Sequence, residues 1–285
     1  MRRPVDLCNP ATLRAVARRA GLNAKGRFSQ NFLVDRSVLD AVIAGLGVRS
    51  DDSVLEIGPG VGTLTGELVA VAGRVVAVDI DPACVRATRI TQRHATNLEV
   101  IEGDVMRTNP ADLGFGGADG WLAAGNLPYH LTGAILSHLF EGAMPPRRGV
   151  FLVQREVAAR LAAAAGDWSL ATVAIRSIAS VERLRDVPPA SFDPSPRVHS
   201  SVICMEPAHA LLPDERILVL ELARRAFQMR RKTLRHALGH ALAGDETLAH
   251  EVLSAAAIDP SRRPGTLDLV EWRTLATIVA ARRRT

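Results

Sequence analysis

Between residues 53 and 154 the sequence alternates short apolar, β-branched runs with stretches of helical periodicity. A strand that is apolar on both faces needs cover on both sides, and helices packed on each face of a parallel sheet provide that cover. The sequence therefore predicts an α/β fold with a buried parallel sheet. The runs in question are SVLEI, RVVAVDI, LEVIEGD, WLAAGN and GVFLVQ.

Two further segments, near Ala171–Val181 and Arg197–Glu206, are joined by the proline-rich stretch VPPASFDPSP, which favours an extended loop. We expect these segments to add an antiparallel pair at the edge of the sheet. After Pro207 the pattern becomes helical, with helices predicted near 215–229, 231–242, 247–256 and 268–282.

An N-terminal helix is predicted to start at Asn9-Pro10 and to end at Gly21, because these residues are typical of helix caps. We expect three regions along the chain: a helical extension over residues 1–24, the sheet domain over 25–207 and a small all-helical domain over 208–285.

Composition indicates where such a chain operates. The 285 residues are 47% hydrophobic, enough to build a core for two domains. Cys8, Cys84 and Cys204 are far apart and form no C-x-x-C pair, which argues against a disulfide framework or a zinc cluster. No apolar run approaches the roughly 18 residues of a membrane span. We therefore expect a cytoplasmic protein without a metal or a membrane segment.

The positive charge is concentrated at the two ends of the chain. Residues 1–35 carry seven Arg and Lys against two acids, and residues 211–285 carry thirteen against nine. A stripe without any acid runs from Leu222 to Gly244. This stripe favours a polyanion such as nucleic acid, although a solvated helix face explains it about equally well. Its cations are Arg224, Arg225, Arg230, Arg231, Lys232 and Arg235.

The segment VLEIGPGVGTLT, residues 54–65, places glycines in a G-x-G-x-G spacing between the first strand and a helix. Gly58 and Gly60 let the backbone turn sharply and approach a ligand. Asp79 and Asp104 end the next two strands, at the same edge of the sheet, where they are expected to accept from a ribose and from an adenine amino group. An ordinary capping role is the alternative for both carboxylates.

The glycine spacing bears on which nucleoside cofactor is bound. Dinucleotide-binding turns prefer G-x-G-x-x-G, and here Thr63 stands at the position of the third glycine. The spacing therefore favours S-adenosylmethionine, while a dinucleotide and dehydrogenase chemistry remain an alternative.

The stretch GNLPYHL, residues 125–131, ends the fourth strand at the same edge. Asn126 and a backbone carbonyl of Leu127-Pro128 offer two acceptors for the hydrogens of an adenine amine, which favours attack by its lone pair on a methyl group. Pro128 holds the backbone, and Tyr129 offers a face on which an extruded base can stack. The alternative is a turn that only ends a strand, with Tyr129 in the core.

Taken in order, these motifs resemble the ribosomal RNA adenine N6,N6-dimethyltransferases, specifically the bacterial KsgA type, over residues 25 to 273. The resemblance implies a Rossmann-like class I S-adenosylmethionine-dependent methyltransferase, monomeric, which dimethylates two adjacent adenines in the 3′-terminal hairpin of 16S rRNA in the small ribosomal subunit. The motifs are RFSQNFLVD, VLEIGPGVGTLT, AVDID, EGDVM, GNLPYHL, VQREVAARL, SFDPSPRVHSS and AFQMRRKTLRHALG.

By the same resemblance, Asn31 and Leu33 contact the cofactor, Gly58 lines its methionine part and Val105 joins Asp104 at the adenine. Phe192 is expected to stack the target adenine opposite Tyr129, with a hydrophobic anchor for its own loop as the alternative. The cations Arg230, Arg231 and Lys232 are expected to bind rRNA phosphates.

The chain departs from the family pattern at GDWSLAT, residues 166–172, and at His130, where the family usually has Asn. Both departures leave the RNA target and the number of methyl groups open. Two rival functions follow: an Erm-like methyltransferase acting on 23S rRNA, and an assembly factor that has lost catalysis.

Overall fold

The structure, a computed structural model, describes residues 5–22, 31–116, 120–208 and 210–282. The RFSQ part of the motif RFSQNFLVD lies outside these residues. The strands are β1 (Phe32–Leu33), β2 (Ser53–Ile57), β3 (Arg74–Asp79), β4 (Leu98–Glu102), β5 (Leu122–Asn126), β6 (Arg148–Gln154), β7 (Ala179–Val187), β8 (Phe192–Asp193) and β9 (Ser200–Pro207). The helices are α1 (Pro10–Ala20), α2 (Arg36–Leu46), α3 (Thr63–Val71), α4 (Pro82–Thr91), α5 (Thr132–Phe140), α6 (Arg155–Leu161), α7 (Leu170–Arg176), α8 (Pro213–Ala226), α9 (Leu234–Ala241), α10 (Glu246–Ala255) and α11 (Leu269–Arg282).

Seven strands form the central sheet in the order β4-β3-β2-β5-β6-β9-β7. The first five run parallel, and β9 is antiparallel to β6. Strands β2, β3, β5 and β6 are almost wholly buried, as their continuous apolar runs predicted. The predicted α/β fold is therefore confirmed.

One face of this sheet is covered by α2 and α3. Val38, Leu39 and Leu46 of α2 and Leu68 of α3 share a buried cluster with Val54 and other residues of the sheet. Burial of large aliphatic side chains of this kind contributes roughly 1.5–3 kcal/mol each. The sheet and its helices thus form a rigid base for whatever lies at the strand ends.

The order of the strands reverses between β2 and β5, which are neighbours in the sheet although β3 and β4 separate them in sequence. Successive connections leave the sheet in opposite directions at this point, so that a crevice opens at the carboxyl ends of the two strands. The glycine turn follows β2, and the motif GNLPYHL includes the end of β5.

Helix α1 begins and ends as predicted. The Asn9 side chain accepts from the N–H groups of Ala11 and Thr12, and Gly21 adopts φ 80° at the other end. Both caps use the residue types that helix termini require, because the first N–H groups and last carbonyls lack partners within the helix.

The prediction of a strand over Ala171–Val181 is wrong for most of that segment. Residues Leu170–Arg176 form α7, which starts with a capping box between Ser169 and Thr172, and the edge strand β7 begins only at Ala179. The β-branched residues in this segment suggest a strand, but Ser169 supplies a helix start that outweighs them. The other half of the predicted pair, β9, is present.

The described chain forms two compact units. The first contains Met1–Ala158 and Glu182–Pro207, and the second contains Ala159–Val181 and Ala208–Thr285. A division at 207/208 was expected from the change in composition. The segment Ala159–Val181, which the sequence placed in the sheet domain, groups with the helical unit instead. No helix in the described residues is long and apolar enough to span a bilayer.

The second unit has its own core around Trp272, which is fully buried and stacks on Phe227 with ring centroids 5.7 Å apart. Helices α8 to α11 lie close to the predicted ranges. Trp168, from the first segment of this unit, and Leu222 of α8 belong to the same buried cluster. The unit is therefore built from two separate pieces of sequence.

Candidate active site

The carboxyl ends of β2 and β5 bring the glycine turn beside Asn126. Ile57 pairs with Gly125 in the sheet, and the next residues, Gly58 and Asn126, therefore leave it side by side. A Cβ atom built on Gly58 would lie 3.8 Å from the backbone oxygen of Asn126. Open parallel sheets bind their ligands at such a point.

Glycine is required by the turn itself. Gly58, Gly60 and Gly62 have φ values of 68°, 61° and 89°, a region that L side chains rarely adopt. Gly60 is restricted a second time, because a Cβ atom there would lie 2.9 Å from Cε1 of Phe32. The ring of Phe32 thus packs directly on the turn.

Side chains of α4 and of Gln92, which directly follows it, hold the carbonyl groups of this turn, a feature that the glycine spacing does not reveal. The three hydrogen bonds run from Thr88 Oγ1 to Gly60 O (3.1 Å), from Thr91 Oγ1 to Val61 O (3.0 Å) and from Gln92 Nε2 to Gly62 O (3.0 Å). Because the carbonyls point toward α4 and are satisfied there, the turn is held in one conformation.

Asp79 lies at the end of β3 and is only 7% exposed. Its carboxylate accepts from the N–H of Gly60 at 3.2 Å and from the N–H of Asp81 at 2.9 Å. Burial raises the pKa of Asp79 to about 6, although these two hydrogen bonds oppose the rise. The carboxylate is thus aligned by the glycine turn beside which the sequence placed it.

Glu56 is a buried acid that the sequence reasoning did not single out. It lies in β2, is 1% exposed, and burial raises its pKa to about 8, with a further contribution from the charge of Asp79. Its Oε2 and the hydroxyl of Thr63 have no hydrogen-bond partner in the described chain. A Glu in the otherwise apolar run SVLEI was the available signal.

These groups specify the kind of ligand that fits. Unpartnered buried polar atoms carry a free-energy cost of about 1–3 kcal/mol each, which a ligand with matching groups removes. Two buried carboxyl groups, Glu56 and Asp79, favour a ligand with hydrogen-bond donors. Asp79, whose pKa of about 6 leaves it mostly ionised at neutral pH, disfavours the added negative charge of a pyrophosphate.

Asp104 follows β4 and caps a short 3₁₀ turn over Val105–Arg107, accepting from the N–H of Met106 at 3.0 Å. Its side chain is partly exposed, and Val105 is buried next to it. Asp104 therefore does have the capping role that was the alternative for it. Its other carboxylate oxygen takes no part in that cap.

The side chain of Asn126 has a defined orientation. Its Nδ2 donates to the backbone oxygen of Asn31 at 3.0 Å. Within the described residues nothing donates to Asn126 Oδ1, nor to the carbonyl of Leu127. The carbonyl of Pro128, in contrast, already accepts from Leu131 N–H at 3.0 Å and from the hydroxyl of Thr132 at 3.2 Å. Two adjacent residues at the end of β5 therefore each keep an acceptor without a donor in the described chain.

Tyr129 is half-buried, and its hydroxyl lies 3.0 Å from Ser200 Oγ at the start of β9. Ser200 lies in the motif SFDPSPRVHSS, and the sequence predicted no role for it. Neighbouring His130 is exposed. The aromatic side chain is therefore held at its hydroxyl group. It is neither a freely exposed surface residue nor a fully packed core residue.

Strand β1 pairs antiparallel with β8, with Phe32 opposite Asp193 and Leu33 opposite Phe192. Leu33 and Phe192 are buried in the core cluster of the sheet domain, Phe192 with only 4% exposure. In this structure Phe192 is thus buried, as expected for the alternative in which it is a hydrophobic anchor for its own loop. The pair β1–β8 nonetheless brings Phe192 to the segment that supplies Asn31.

The basic stripe belongs to the second unit and is less uniform than its sequence suggests. Arg230, Arg231 and Lys232 are exposed in the turn between α8 and α9, where the sequence predicted nearly continuous helix. Arg235 lies 3.5 Å from Glu246, so its charge is partly balanced. The cations of the turn have no ion pair in the described chain.

The departure GDWSLAT is part of the core of the second unit. Trp168 is 9% exposed, and its backbone N–H donates to the carbonyl of Gly265 at 2.9 Å. A Cβ atom on Gly265 would meet the carbonyl oxygen of Trp168 at 2.7 Å, so only glycine fits there. The segment therefore has a structural role in the helical unit.

Comparison with known proteins supplies independent information. The family model described as ribosomal RNA adenine dimethylase matches residues 21–275. The chain is 41% identical over 275 residues to the ribosomal RNA small subunit methyltransferase A of Anaeromyxobacter sp. (strain K), covering 92% of this chain and 95% of that protein. It is 34% identical to the protein of the same name from Alkaliphilus metalliredigens (strain QYMF), covering 97% and 99%.

Solved structures agree in fold. A dimethyladenosine transferase from Plasmodium falciparum has a TM-score of 0.75 at 25% identity, covering 88% of this chain and 98% of that one. The 23S rRNA methyltransferase ErmE has a TM-score of 0.69 at 23% identity, covering 87% and 98%.

Proposed function

The chain belongs to the ribosomal RNA adenine dimethylase family, and from that premise we propose that it transfers methyl groups from S-adenosylmethionine to adenine N6 in ribosomal RNA. We further propose its target: two adjacent adenines in the 3′-terminal hairpin of 16S rRNA, within the small ribosomal subunit. The names of the relatives at 41% and 34% identity favour the small subunit.

The observation that carries this proposal is the orientation of Asn126. Because Nδ2 donates to Asn31, Oδ1 is left as an acceptor, and the carbonyl of Leu127 is a second one nearby. An adenine amine has two N–H groups and a lone pair that is delocalised into the ring. Two acceptors that bind both hydrogens favour a pyramidal nitrogen, whose lone pair is then available for attack.

Leu127 rather than Pro128 supplies the second acceptor in this proposal. The sequence left the choice between the two carbonyls open, and the carbonyl of Pro128 is engaged by Leu131 and Thr132. These contacts fix the turn after Pro128, and within the described residues the Leu127 carbonyl accepts no hydrogen bond. No strong base is needed, since the methylated nitrogen is acidic and loses its proton to water.

Residues of the first unit would hold the cofactor. S-adenosylmethionine, when bound, supplies a methyl group on a positively charged sulfur atom. Asp79 would accept from the ribose hydroxyls, Asp104 and Val105 would bind the adenine, and Gly58 and Gly60 would allow close approach of the backbone. Asn31, whose backbone oxygen accepts from Asn126, and Leu33 of β1 would close this site from the N-terminal segment.

Tyr129 is the proposed stacking surface for the target base. Its hydroxyl is held by Ser200 while its side chain is only half-buried, so that part of it remains accessible. Phe192 would take part only after a movement that exposes its ring, because it is buried in this structure. Arg230, Arg231 and Lys232 would bind rRNA phosphates, which are recognised mainly through charge. We propose a monomer that acts in the cytoplasm and needs no metal.

The decisive experiment is Asn126→Ala. Methyl transfer from tritiated S-adenosylmethionine is measured on small ribosomal subunits in which the two target adenines are present but unmethylated. We expect methyl transfer to fall by at least about 100-fold, as for other preorganised electrostatic groups, while cofactor affinity stays within about threefold. Asn109→Ala is the control, because Asn109 is exposed and only caps a 3₁₀ turn. Unchanged transfer by Asn126→Ala would refute the proposed chemistry.

The same assay separates the rival functions. Protein-free 23S rRNA is offered beside the small subunits, and the methylated adenines are located by mass spectrometry. Methylation of 23S rRNA alone would establish an Erm-like target. Binding of small subunits without any transfer by the unaltered protein would establish the assembly-factor alternative.

A further inference from the structure

An ion pair joins the first helix to the loop that carries Phe192. Arg14 of α1 donates from Nε and Nη2 to the two carboxylate oxygens of Asp193, both at 2.8 Å. The two residues are 179 positions apart in sequence. Paired guanidinium and carboxylate groups in this fork geometry fix direction as well as distance. The Arg14 side chain is 61% exposed, whereas that of Asp193 is 16% exposed.

The helix that carries Arg14 is anchored on the cofactor side of the site. Leu13 and Ala20 are buried against Val61 of the glycine turn and Ala87 of α4. Arg86 of α4 donates to the carbonyl of Ala20 at 3.2 Å and 3.0 Å, which fixes the last turn of α1. Arg14 therefore projects from a helix whose position is set by the glycine turn and α4.

Asp193 belongs to the other side of the site. It follows Phe192 directly and pairs with Phe32 in the short β1–β8 sheet. The β1–β8 sheet has two residues per strand, and bonds from Val34 N–H to Ser191 O (2.9 Å) and from Ser191 Oγ to Asp35 (2.7 Å) tie the same two segments together. The ion pair with Arg14 adds a contact from β8 to α1.

We propose that Arg14 is a positioning residue for methyl transfer. Its ion pair with Asp193 holds β8 and, through the pairing of β8 with β1, the adjoining Asn31, whose backbone oxygen orients the Asn126 side chain. This inference rests on the proposed function. Arg14 lies ahead of residue 21, where the family match begins, so the contact is supplied from outside the matched region.

The test measures methyl transfer to undermethylated small ribosomal subunits by Arg14→Ala, Arg14→Lys and the exchange Arg14→Asp with Asp193→Arg. We expect Arg14→Ala to lower kcat about tenfold, because small displacements of positioning groups cost at least such factors. The midpoint of thermal unfolding should change by less than about 2 °C, since exposed ion pairs contribute little to stability. Affinity for S-adenosylmethionine should stay within about twofold, because the partner of Arg14 is Asp193, which is not one of the proposed cofactor residues.

Arg14→Lys and the charge exchange should each recover part of the lost kcat, because both restore an ion pair at the same place. The matched control is Arg18→Ala, which removes an exposed arginine one turn further along α1. It has no ion pair in the described chain, so a general attraction between α1 and RNA would affect both variants equally.

Equal kcat values for Arg14→Ala and Arg18→Ala would overturn the inference, as would a loss that follows the unfolding midpoint or that neither rescue variant reduces. Asn126→Ala in the same assay reports on the proposed function itself. Retained transfer there refutes the transfer chemistry. Lost transfer there, together with an unaffected Arg14→Ala, refutes only the role of Arg14.

Discussion

The cofactor side and the transfer side of the site are built in different ways. On the cofactor side, Glu56 and Asp79 are buried, and the glycine turn is held by backbone and side-chain hydrogen bonds from β3 and α4. On the transfer side, Asn126 and Tyr129 are half-buried, and each side chain is oriented by one contact, from Asn31 and Ser200 respectively. The cofactor side is thus rigid and desolvated, whereas the transfer side is oriented by few contacts and stays accessible.

This difference has a functional meaning. A small cofactor that is bound in every cycle fits a preformed pocket, whereas a base that must leave an RNA helix needs an open approach. Contacts that span long stretches of sequence, 95 residues for Asn126 and 71 for Tyr129, orient the groups on the transfer side without closing it. Substitutions on the two sides should therefore have different signatures.

Gly125, in β5 where the cofactor side meets the transfer side, should be the position at which a substitution destabilises the fold most. In Gly125→Ala the new Cβ atom would lie 2.4 Å from the carbonyl oxygen of Ile57, a backbone atom inside the sheet. We expect the free energy of unfolding to fall by about 3 kcal/mol or more, measured by urea denaturation. Gly133→Ala, where no atom lies within 4 Å, is the control and should not destabilise the fold. Equal stability of the two variants would show that the backbone around Gly125 and Ile57 can move enough to accommodate the new methyl group.

A substitution on the cofactor side should affect binding more than turnover. In Asp79→Asn one amide N–H group would face the N–H of Gly60 or of Asp81, and the charged acceptor for a ribose would be lost. We expect the affinity for S-adenosylmethionine, measured by calorimetry, to fall about 100-fold. The control Asp51→Asn changes an exposed carboxylate near β2. Affinity within threefold of the unaltered protein would remove Asp79 from the site.

The buried acid Glu56 predicts a pH dependence of stability. Its pKa is raised from an ordinary value of 4.5 to about 8, so above pH 4.5 the folded chain keeps a proton that the unfolded chain has lost. The free energy of unfolding should therefore fall as the pH rises from 4.5 to about 8, and Asp79 adds to the fall up to about pH 6.

Glu56→Gln should flatten this profile, and between pH 5 and 6.5 the unaltered protein should lose about 2 kcal/mol more stability than the variant. Urea denaturation at pH 5, 6.5 and 8 measures it, and Glu102→Gln, which changes an exposed acid at the end of β4, is the control. Parallel profiles for the unaltered protein and Glu56→Gln would mean that Glu56 is already ionised in the folded chain.

The smallest effect is expected on the transfer side. Ser200→Ala removes the hydroxyl group that holds Tyr129, and we expect kcat to fall about fivefold, equivalent to about 1 kcal/mol for one hydrogen bond, with cofactor affinity unchanged. Tyr129→Phe should give the same loss, and the double variant no further loss. The control is Ser201→Ala, because Ser201 is also buried but donates to Asp186. A loss of kcat in Ser201→Ala as large as in Ser200→Ala would contradict the assigned contact.

The sequence predicted the features that depend on local spacing. The apolar runs located β2 to β6, the caps at Asn9 and Gly21 located α1, and the glycine spacing located a turn with three positive φ angles. Each of these follows from residues within one element, because backbone sterics and hydrophobic periodicity act over a few positions.

Features that depend on pairing between distant segments were not predicted. The raised pKa of Glu56 and the contact from Ser200 result from how strands and loops pack, and no periodicity encodes that. For Phe192 the sequence left stacking and a buried anchor open, and only the packing shows that the ring is buried. In the segment around α7 the local signals conflicted. Its β-branched residues suggested a strand, but the serine cap at its start began a helix instead. The roles proposed for the individual site residues stay predictions.

The discontinuous sequence of the helical unit restricts how this enzyme can be recombined with its relatives. A hybrid protein that takes only residues 208–282 from a relative would place foreign helices around Trp168 and Val173, which come from the earlier segment and pack among them. Position 265 would then need a glycine, because the backbone of Trp168 occupies the space of any side chain there. A functional graft must carry residues 159–181 with it, so the exchangeable module has three junctions instead of one.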